Sequence, residues 1–113
     1  MISASGAQTI GPASGGKVTP FNTISTTPQQ VIGPNPNRAS IMFHNPGPQD
    51  IIVAPTIQAN GQPLTVLTSL LGGGFRVFAN GGTLMLTGEC QTAYQAFSVS
   101  GSSLPLTVSE SNV

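Results

Sequence analysis

The stretch GPASGGKV, which begins at Gly11, comes close to a phosphate-binding loop. Gly11, Gly16 and Lys17 stand in the register of G-x-x-x-x-G-K-[ST], where backbone N–H groups cradle phosphates and the last hydroxyl holds magnesium. Val18 stands where that hydroxyl is needed, and Pro20 interrupts the helix whose N-terminus would face the phosphate. We therefore interpret the stretch as a flexible Gly- and Ser-rich connector and not as a nucleotide site.

His44 and Cys90 are the only histidine and the only cysteine of the chain. A Ser–His–Asp triad or a Cys–His dyad would have to use His44, and no motif places a nucleophile beside it. The alternative is a histidine on a polar strand face or bonded to a turn carbonyl. One thiol and one imidazole without metal-ligand spacing cannot complete a zinc site, and the neighbouring Glu89 favours an unreactive, buried Cys90. The sequence therefore predicts no metal, no cofactor and no enzymatic activity.

Ionic side chains are scarce: the chain has three Lys and Arg residues and three Asp and Glu residues. The acids Asp50, Glu89 and Glu110 each lie at a strand edge or near the C-terminus, so a carboxylate pair for glycoside hydrolysis has little support. Arg38 and Arg76 lie on candidate strands. They could form bidentate pairs with the carboxylates of a partner or with Asp50 and Glu89, and structural pairing within the fold is the open alternative.

Composition and charge exclude several classes of function. A chain of 113 residues can bury a core as one domain without disulfides. With a formal net charge of zero it lacks the basic stripe that would neutralise phosphates, so no nucleic-acid partner is expected. No run is long enough for a membrane span and no secretory signal is evident, so no membrane partner is expected either. The chain has 24 Ser and Thr residues and 15 Asn and Gln residues, which predict a neutral, hydrogen-bonding surface. A surface of this kind favours a protein that belongs to an assembly.

The chain divides into an arm and one domain. Residues 1–20 carry only scattered apolar side chains, among them Ile2 and Ile10, too few to offset the entropy of ordering. We therefore expect a flexible N-terminal arm over residues 1–20 and a β-sandwich or jelly-roll domain over residues 21–113.

Short apolar or alternating runs separated by Pro, Gly and Asn predict an all-β fold of about eight strands. The expected strands are Phe21–Thr26, Gln29–Ile32, Arg38–Asn45, Asp50–Ala54, Leu64–Leu70, Phe75–Ala79, Thr83–Thr87, Gln91–Val99 and Pro105–Ser109. Asn80-Gly81 predicts a tight hairpin. Alternation places Ile41 and Phe43 on one face and Arg38, Met42 and His44 on the other. The predicted core residues are Ile41, Phe43, Ile51, Val53, Phe75, Val77, Leu84, Leu86, Phe97, Leu106 and Val108.

The segment VIGPNPNRASIMFHNPGPQDIIVAP has a recognisable pattern: a strand, a loop, an Arg, an apolar strand that ends in Asn, a short turn, and a second apolar strand. From Gln29 to Val108 the chain resembles small β-rich proteins of tailed-bacteriophage virions, especially the head decoration or cement proteins of HK97-type capsids. The resemblance implies a jelly-roll or β-sandwich body on the outer surface of a capsid, made in the host cytoplasm. It implies no catalytic residues.

The same resemblance implies two partners, the major capsid protein and further copies of the chain in a homodimer or homotrimer. The candidate partner contacts are Arg38, Arg76, Ile2, Ile10 and Lys17. An alternative is a carbohydrate- or receptor-binding sandwich of a phage tail fibre or tail tip, in which Tyr94 or Asn side chains would line a groove. A small hydrolase built on His44 is the third candidate.

Overall fold

The structure is a computed structural model that describes residues 15–56, 74–88 and 90–113. Within these ranges the chain forms β-strands and no helix, which confirms the predicted all-β class. The strands are β1 Gly15–Ile24, β2 Gln29–Ile32, β3 Arg38–Asn45, β4 Ile51–Pro55, β5 Phe75–Val77, β6 Gly82–Leu86, β7 Tyr94–Ser98 and β8 Leu104–Asn112. The strand expected over Leu64–Leu70 lies outside the described residues. No helix in the described part of the chain could cross a membrane.

The eight strands form two antiparallel sheets of four. Sheet I has the order β1-β8-β3-β6, and sheet II has the order β2-β7-β4-β5. The pairing is nested along the chain, because β1 pairs with β8, β2 with β7, β3 with β6 and β4 with β5. Two further pairings, β3 with β8 and β4 with β7, complete the sheets. The first half of the described chain therefore pairs with the second half, like a long hairpin folded over on itself.

The main core lies between the two sheets and contains alternate residues of their strands. Most of the predicted core is confirmed: Ile41, Phe43, Ile51, Val53, Val77, Leu106 and Val108 are buried there. Leu84 and Leu86 pack against this core and are partly buried. Phe75 is a correction, because its side chain is 41% exposed. It lies on β5, a three-residue strand at the edge of sheet II, where nothing in the described chain covers it fully.

A second buried cluster lies on the other face of sheet II. It consists of Ile52, Ala54 and Phe97, on the central strands β4 and β7. The apolar run DIIVA predicts a strand covered on both sides, and β4 confirms it, since Ile51 and Val53 face the main core. Phe97, predicted in the core, is therefore buried in this second cluster.

The boundary predicted at residue 20 falls inside β1. Residues 15–20, expected in the arm, pair with β8 in a continuous register from Gly15 opposite Asn112 to Pro20 opposite Thr107. The backbone hydrogen bonds of this ladder compensate for the scarcity of apolar side chains, which the composition argument did not take into account. Residues 1–14 lie outside the described residues.

The Asn80-Gly81 turn does not close the predicted hairpin. Asn80 and Gly81 have φ values of 63° and 106°, the left-handed conformations that this dipeptide favours. However, β5 belongs to sheet II and β6 to sheet I, so the turn connects the two sheets. The Asn80 N–H donates to the Gly47 carbonyl at 2.8 Å and the Gly81 N–H donates to the Asn45 carbonyl at 2.7 Å. These bonds tie the turn to the end of β3, beside which β6 then runs.

Asn45 is a fully buried polar residue at the end of β3. Its amide Nδ2 donates to the Gln49 carbonyl at 2.7 Å and to the Val77 carbonyl at 3.0 Å. Its Oδ1 accepts from the Gly47 N–H at 3.1 Å. Because Val77 belongs to sheet II, this side chain links the two sheets at one end of the sandwich.

We expect Gly82→Ala to destabilise the protein and Gly88→Ala to leave it nearly unchanged. A Cβ at Gly82 would overlap the Phe78 backbone, whose carbonyl accepts from the Gly82 N–H, whereas a Cβ at Gly88 meets no atom within 4 Å. Overpacking of this kind costs about 1–3 kcal/mol. The midpoint of urea unfolding compares the stability of the two variants, and equal midpoints would contradict the placement of the turn.

Candidate functional site

His44 lies on the outer face of sheet I, where its Nδ1 is 3.1 Å from the Thr83 Oγ1 across the β3–β6 ladder. Cys90 is 2% exposed and packs in the main core, so the thiol and the imidazole occupy opposite faces of the sheet. This agrees with the interpretation of Cys90 as a small buried hydrophobe. The described residues form no group of three or more His, Cys, Asp or Glu side chains that could hold a metal ion.

The arginine at the start of β3 forms hydrogen bonds through all three of its guanidinium nitrogens. Its Nε donates to the Glu110 Oε1 at 2.9 Å. One terminal nitrogen donates to the carbonyls of Cys90 and Thr92 at 2.6 and 3.1 Å, and the other donates to the Gly33 carbonyl at 2.6 Å. Arg38 therefore connects strand β8 with the loops before β3 and before β7.

The burial of Arg38 corrects its predicted place on the strand. Strict alternation predicts this side chain on the polar face of β3, but the ladder with β8 is irregular between Arg38 and Ser40. This irregularity lets Arg38 point inward together with Ile41. Its side chain is 1% exposed within its own chain, and its role as a partner contact stays a prediction. The carboxylate that pairs with Arg38 belongs to Glu110, whereas the sequence suggested Asp50 and Glu89 as partners within the fold.

Glu110 is held in its charged form by its neighbours. Its side chain is 14% exposed, and this burial raises the pKa of the carboxyl. Hydrogen bonds from Arg38 and from Asn35, together with the charges of Arg38 and Lys17, outweigh burial and bring the pKa below its ordinary value of 4.5. The Asn35 Nδ2 donates to Glu110 at 3.2 Å and to the Asn112 side chain at 2.8 Å. The carboxylate is thus part of a polar network that closes this end of the sandwich.

A groove of about 420 Å³ runs along this end. It lies between β1 at the edge of sheet I and β2 at the edge of sheet II. Lys17, Asn35 and Glu110 contribute its polar groups, while Val31, Ile32, Pro34 and Val108 contribute apolar surface. Arg38 and Glu110, the charged pair in its wall, are already bonded to each other. We therefore interpret the groove as part of the contact between the two sheets and not as a ligand site.

The second arginine forms the second ion pair. The Arg76 NH1 nitrogen lies 2.8 Å from the Asp50 Oδ2, and the Asp50 Oδ1 accepts from the Ala79 N–H at 2.8 Å. The backbone bond from Ala79, followed by the bond from Arg76, lowers the pKa of Asp50. The pairing of Arg76 with Asp50 within the fold is one of the alternatives that the sequence left open. Glu89, the other suggested acid, lies outside the described residues.

The remaining predicted contacts divide into two groups. Lys17 is exposed on β1 and Arg76 is 43% exposed, so both side chains are accessible to a partner. Ile2 and Ile10 lie outside the described residues. Their roles as partner contacts stay predictions.

The aromatic side chains form no stacking platform around Tyr94. Tyr94 is 1% exposed, and its ring packs against Phe43 with the ring centroids 5.8 Å apart at 58°. This tilted contact is typical of core packing. Phe75 and Phe78 are the exposed aromatic residues of the described chain.

The outer face of sheet I is the largest feature that sequence reasoning missed. Three rows of facing residues cross the sheet: Gly16–Ser111–Ser40, Val18–Ser109–Met42–Met85 and Pro20–Thr107–His44–Thr83. We call these eleven residues the neutral face, because none of them is Lys, Arg, Asp or Glu. Val18 and Met85, at its two edges, are 64% and 59% exposed.

Part of the neutral face was readable from the sequence. Alternation in RASIMFHN and GTLMLTG separates Met42 and Met85 from the core positions. The register that brings these two methionines together with Ser109 and Val18 depends on long-range pairing, which alternation does not report.

We expect Arg38→Met to destabilise the protein far more than Arg76→Met does. The first variant removes the Arg38 hydrogen bonds to Glu110 and to three backbone carbonyls, and breaking a buried pair of this kind costs about 3–5 kcal/mol. Arg76→Met removes the same chemistry from an exposed, water-screened pair. Chemical unfolding of both variants measures the contrast, and similar losses would contradict the anchoring role of Arg38.

Glu110 should also make stability depend on pH in the acid range. Because its folded pKa is lowered, the unfolded chain binds more protons between that value and the ordinary pKa of 4.5. The stabilisation is therefore present above pH 4.5 and is lost as the pH falls through the folded pKa. We expect the stability difference between wild type and Glu110→Gln to shrink below pH 4.5, measured by urea unfolding across pH. A difference that is constant with pH would contradict the assignment.

Comparison with known proteins gave no relative: no protein-family model, no curated protein and no solved structure matches the chain. A function for it must therefore follow from its own strand order, core and surfaces.

Proposed function

We propose that the chain is a structural protein of a tailed-bacteriophage virion. In this proposal it binds the outside of the capsid and holds neighbouring major capsid subunits together, without catalysis. The observation that carries the proposal is the nested pairing of the eight strands, β1 with β8, β2 with β7, β3 with β6 and β4 with β5.

Nested pairing supports a jelly-roll assignment for the sandwich. A jelly roll is a double sheet of eight strands built from two Greek keys, and viral capsid proteins are among its common users. Lectin domains and cupins share this architecture, so the strand order supports the class of protein and the surface has to support the role.

The use of the charged residues supports a role in assembly. Arg38 and Glu110 bond each other at one end of the sandwich, and Arg76 and Asp50 bond each other at its edge. The outer face of sheet I contains hydroxyl, thioether, aliphatic and imidazole side chains. A cement protein needs only to bury such surface against its neighbours, and many copies on one shell multiply weak contacts.

We assign the contact with the capsid to the N-terminal segment and to the exposed cations. Residues 1–14, with Ile2 and Ile10, precede β1, and Lys17 and Arg76 are accessible on the body. In this proposal the segment, whose flexibility is an expectation from composition alone, wraps a neighbouring subunit at an entropic cost. Deletion of residues 2–14 should therefore weaken binding and leave the sandwich folded.

A carbohydrate-binding tail module is the alternative function. Tyr94, one of the residues suggested for the groove of that alternative beside Asn side chains, is 1% exposed. Phe78, which is 64% exposed, is a better candidate for stacking on a sugar than Phe75, which is 41% exposed. A glycan array probed with the isolated protein tests this alternative, and binding abolished by Phe78→Ala would favour it over the capsid role.

The proposed function predicts saturable binding to capsid shells. Empty shells assembled from the major capsid protein of the same phage are incubated with the purified chain, sedimented, and melted in a thermal scan. We expect the chain to saturate at a copy number set by the shell symmetry and to raise the melting temperature of the shells, as linkage requires for a ligand of the assembled state.

The variant without residues 2–14 and the variant Arg76→Met are compared with the full chain in the same assay. Weaker binding of either variant, with unchanged unfolding of the isolated protein, assigns that part to the contact. Absence of binding by the full chain would overturn the capsid proposal.

A further inference from the structure

The two outer faces of the sandwich are not equivalent. On sheet II, the outward side chains Ile52, Ala54 and Phe97 are buried within the chain. On sheet I, the neutral face has exposed side chains at both edges, with Val18 on β1 and Met85 on β6. Sheet I therefore has an open face on which a second sheet could pack.

The neutral face is large enough to contribute a substantial part of an interface. Four strands about 4.8 Å apart and about seven residues long, at about 3.3 Å per residue, give about 450 Å² in projection. The accessible area is larger, because side chains stand out from the pleated sheet. The projected area alone is a little more than half of the roughly 800 Å² per partner of a standard stable interface.

The chemistry of the neutral face is self-complementary. It has hydroxyl groups that both donate and accept on Ser40, Ser109, Ser111, Thr83 and Thr107. It has no ionic Lys, Arg, Asp or Glu side chain that would repel an identical copy or lose hydration on contact. A second copy of this chain therefore meets no desolvation penalty for charge, whereas a charged partner would find no complement here.

A twofold axis along the strands fits the row of residues at the centre of the face. Across sheet I this row reads Val18, Ser109, Met42, Met85. An axis between β8 and β3 lays β1 of one copy over β6 of the other. Val18 then faces Met85 of the second copy, and Ser109 faces Met42. Within one copy Val18 and Met85 are three strand spacings apart, about 14 Å, so their side chains do not meet.

We propose that the neutral face is the self-association surface of this chain, where two copies pack sheet I against sheet I with Val18 of each copy on Met85 of the other. Such an isologous contact closes as a dimer. The inference deepens the proposed function, and it rests on that function for the use of the dimer on a capsid. The dimer itself is a property of the isolated chain.

The test introduces opposite charges at the two paired positions. Val18→Lys and Met85→Glu are each analysed alone and mixed in equal amounts, by analytical ultracentrifugation at micromolar concentrations. Wild type should be dimeric, and each variant alone should dimerise at least about tenfold more weakly, because its new charge faces an apolar side chain. The mixture should form a heterodimer with a lower dissociation constant than the homodimer of either variant, because Lys at position 18 then faces Glu at position 85.

Gln30→Glu is the matched control, because Gln30 is exposed on β2, in the other sheet. It should dimerise like wild type, and all variants should unfold at the wild-type denaturant midpoint when monomeric. A monomeric wild type, or single variants that dimerise as wild type does, would overturn the inference. A mixture no tighter than the parents would overturn the proposed axis. None of these assays contains shells, so their failure is separate from a failure of capsid binding.

Discussion

The buried guanidinium of Arg38 is the interaction on which the sandwich most depends. It bonds to the Glu110 carboxylate and to the carbonyls of Gly33, Cys90 and Thr92, and so gathers a strand and two loops at one end. At the other end of β3, Asn45 bonds to Gln49 and Val77. The strand that pairs with both β8 and β6 is therefore fixed at each end by a buried polar side chain, and the apolar core fills the space between them.

This arrangement leaves the surface of sheet I with little charge. In a chain with only six ionic residues, two ion pairs occupy four of them within the described fold. The outer face of sheet I consequently consists of neutral side chains, and a neutral sheet face without electrostatic repulsion favours contact with another protein surface. The two internal ion pairs and the neutral outer face thus go together with the same scarcity of ionic residues.

The sequence predicts what depends on local alternation and turn residues. The alternation in RASIMFHN and the double-sided run DIIVA give β3 and β4 and their buried faces. The sequence does not predict the effects of long-range pairing. Residues 15–20 are part of β1 because they pair with β8. The Asn80-Gly81 turn connects the two sheets because its N–H groups donate to the Gly47 and Asn45 carbonyls. The inward turn of Arg38 likewise requires an irregular ladder at Ala39, and its partner Glu110 is 72 residues away.

We propose that this sandwich is an assembly protein of a virion surface, and the first experiment is a reconstruction of decorated shells by electron cryomicroscopy. Shells incubated with the full chain are compared with bare shells. We expect additional density on the outside of the shell at a symmetry axis or a quasi-symmetry axis, into which the two four-stranded sheets fit. Identical reconstructions of decorated and bare shells, or density confined to the interior, would contradict it.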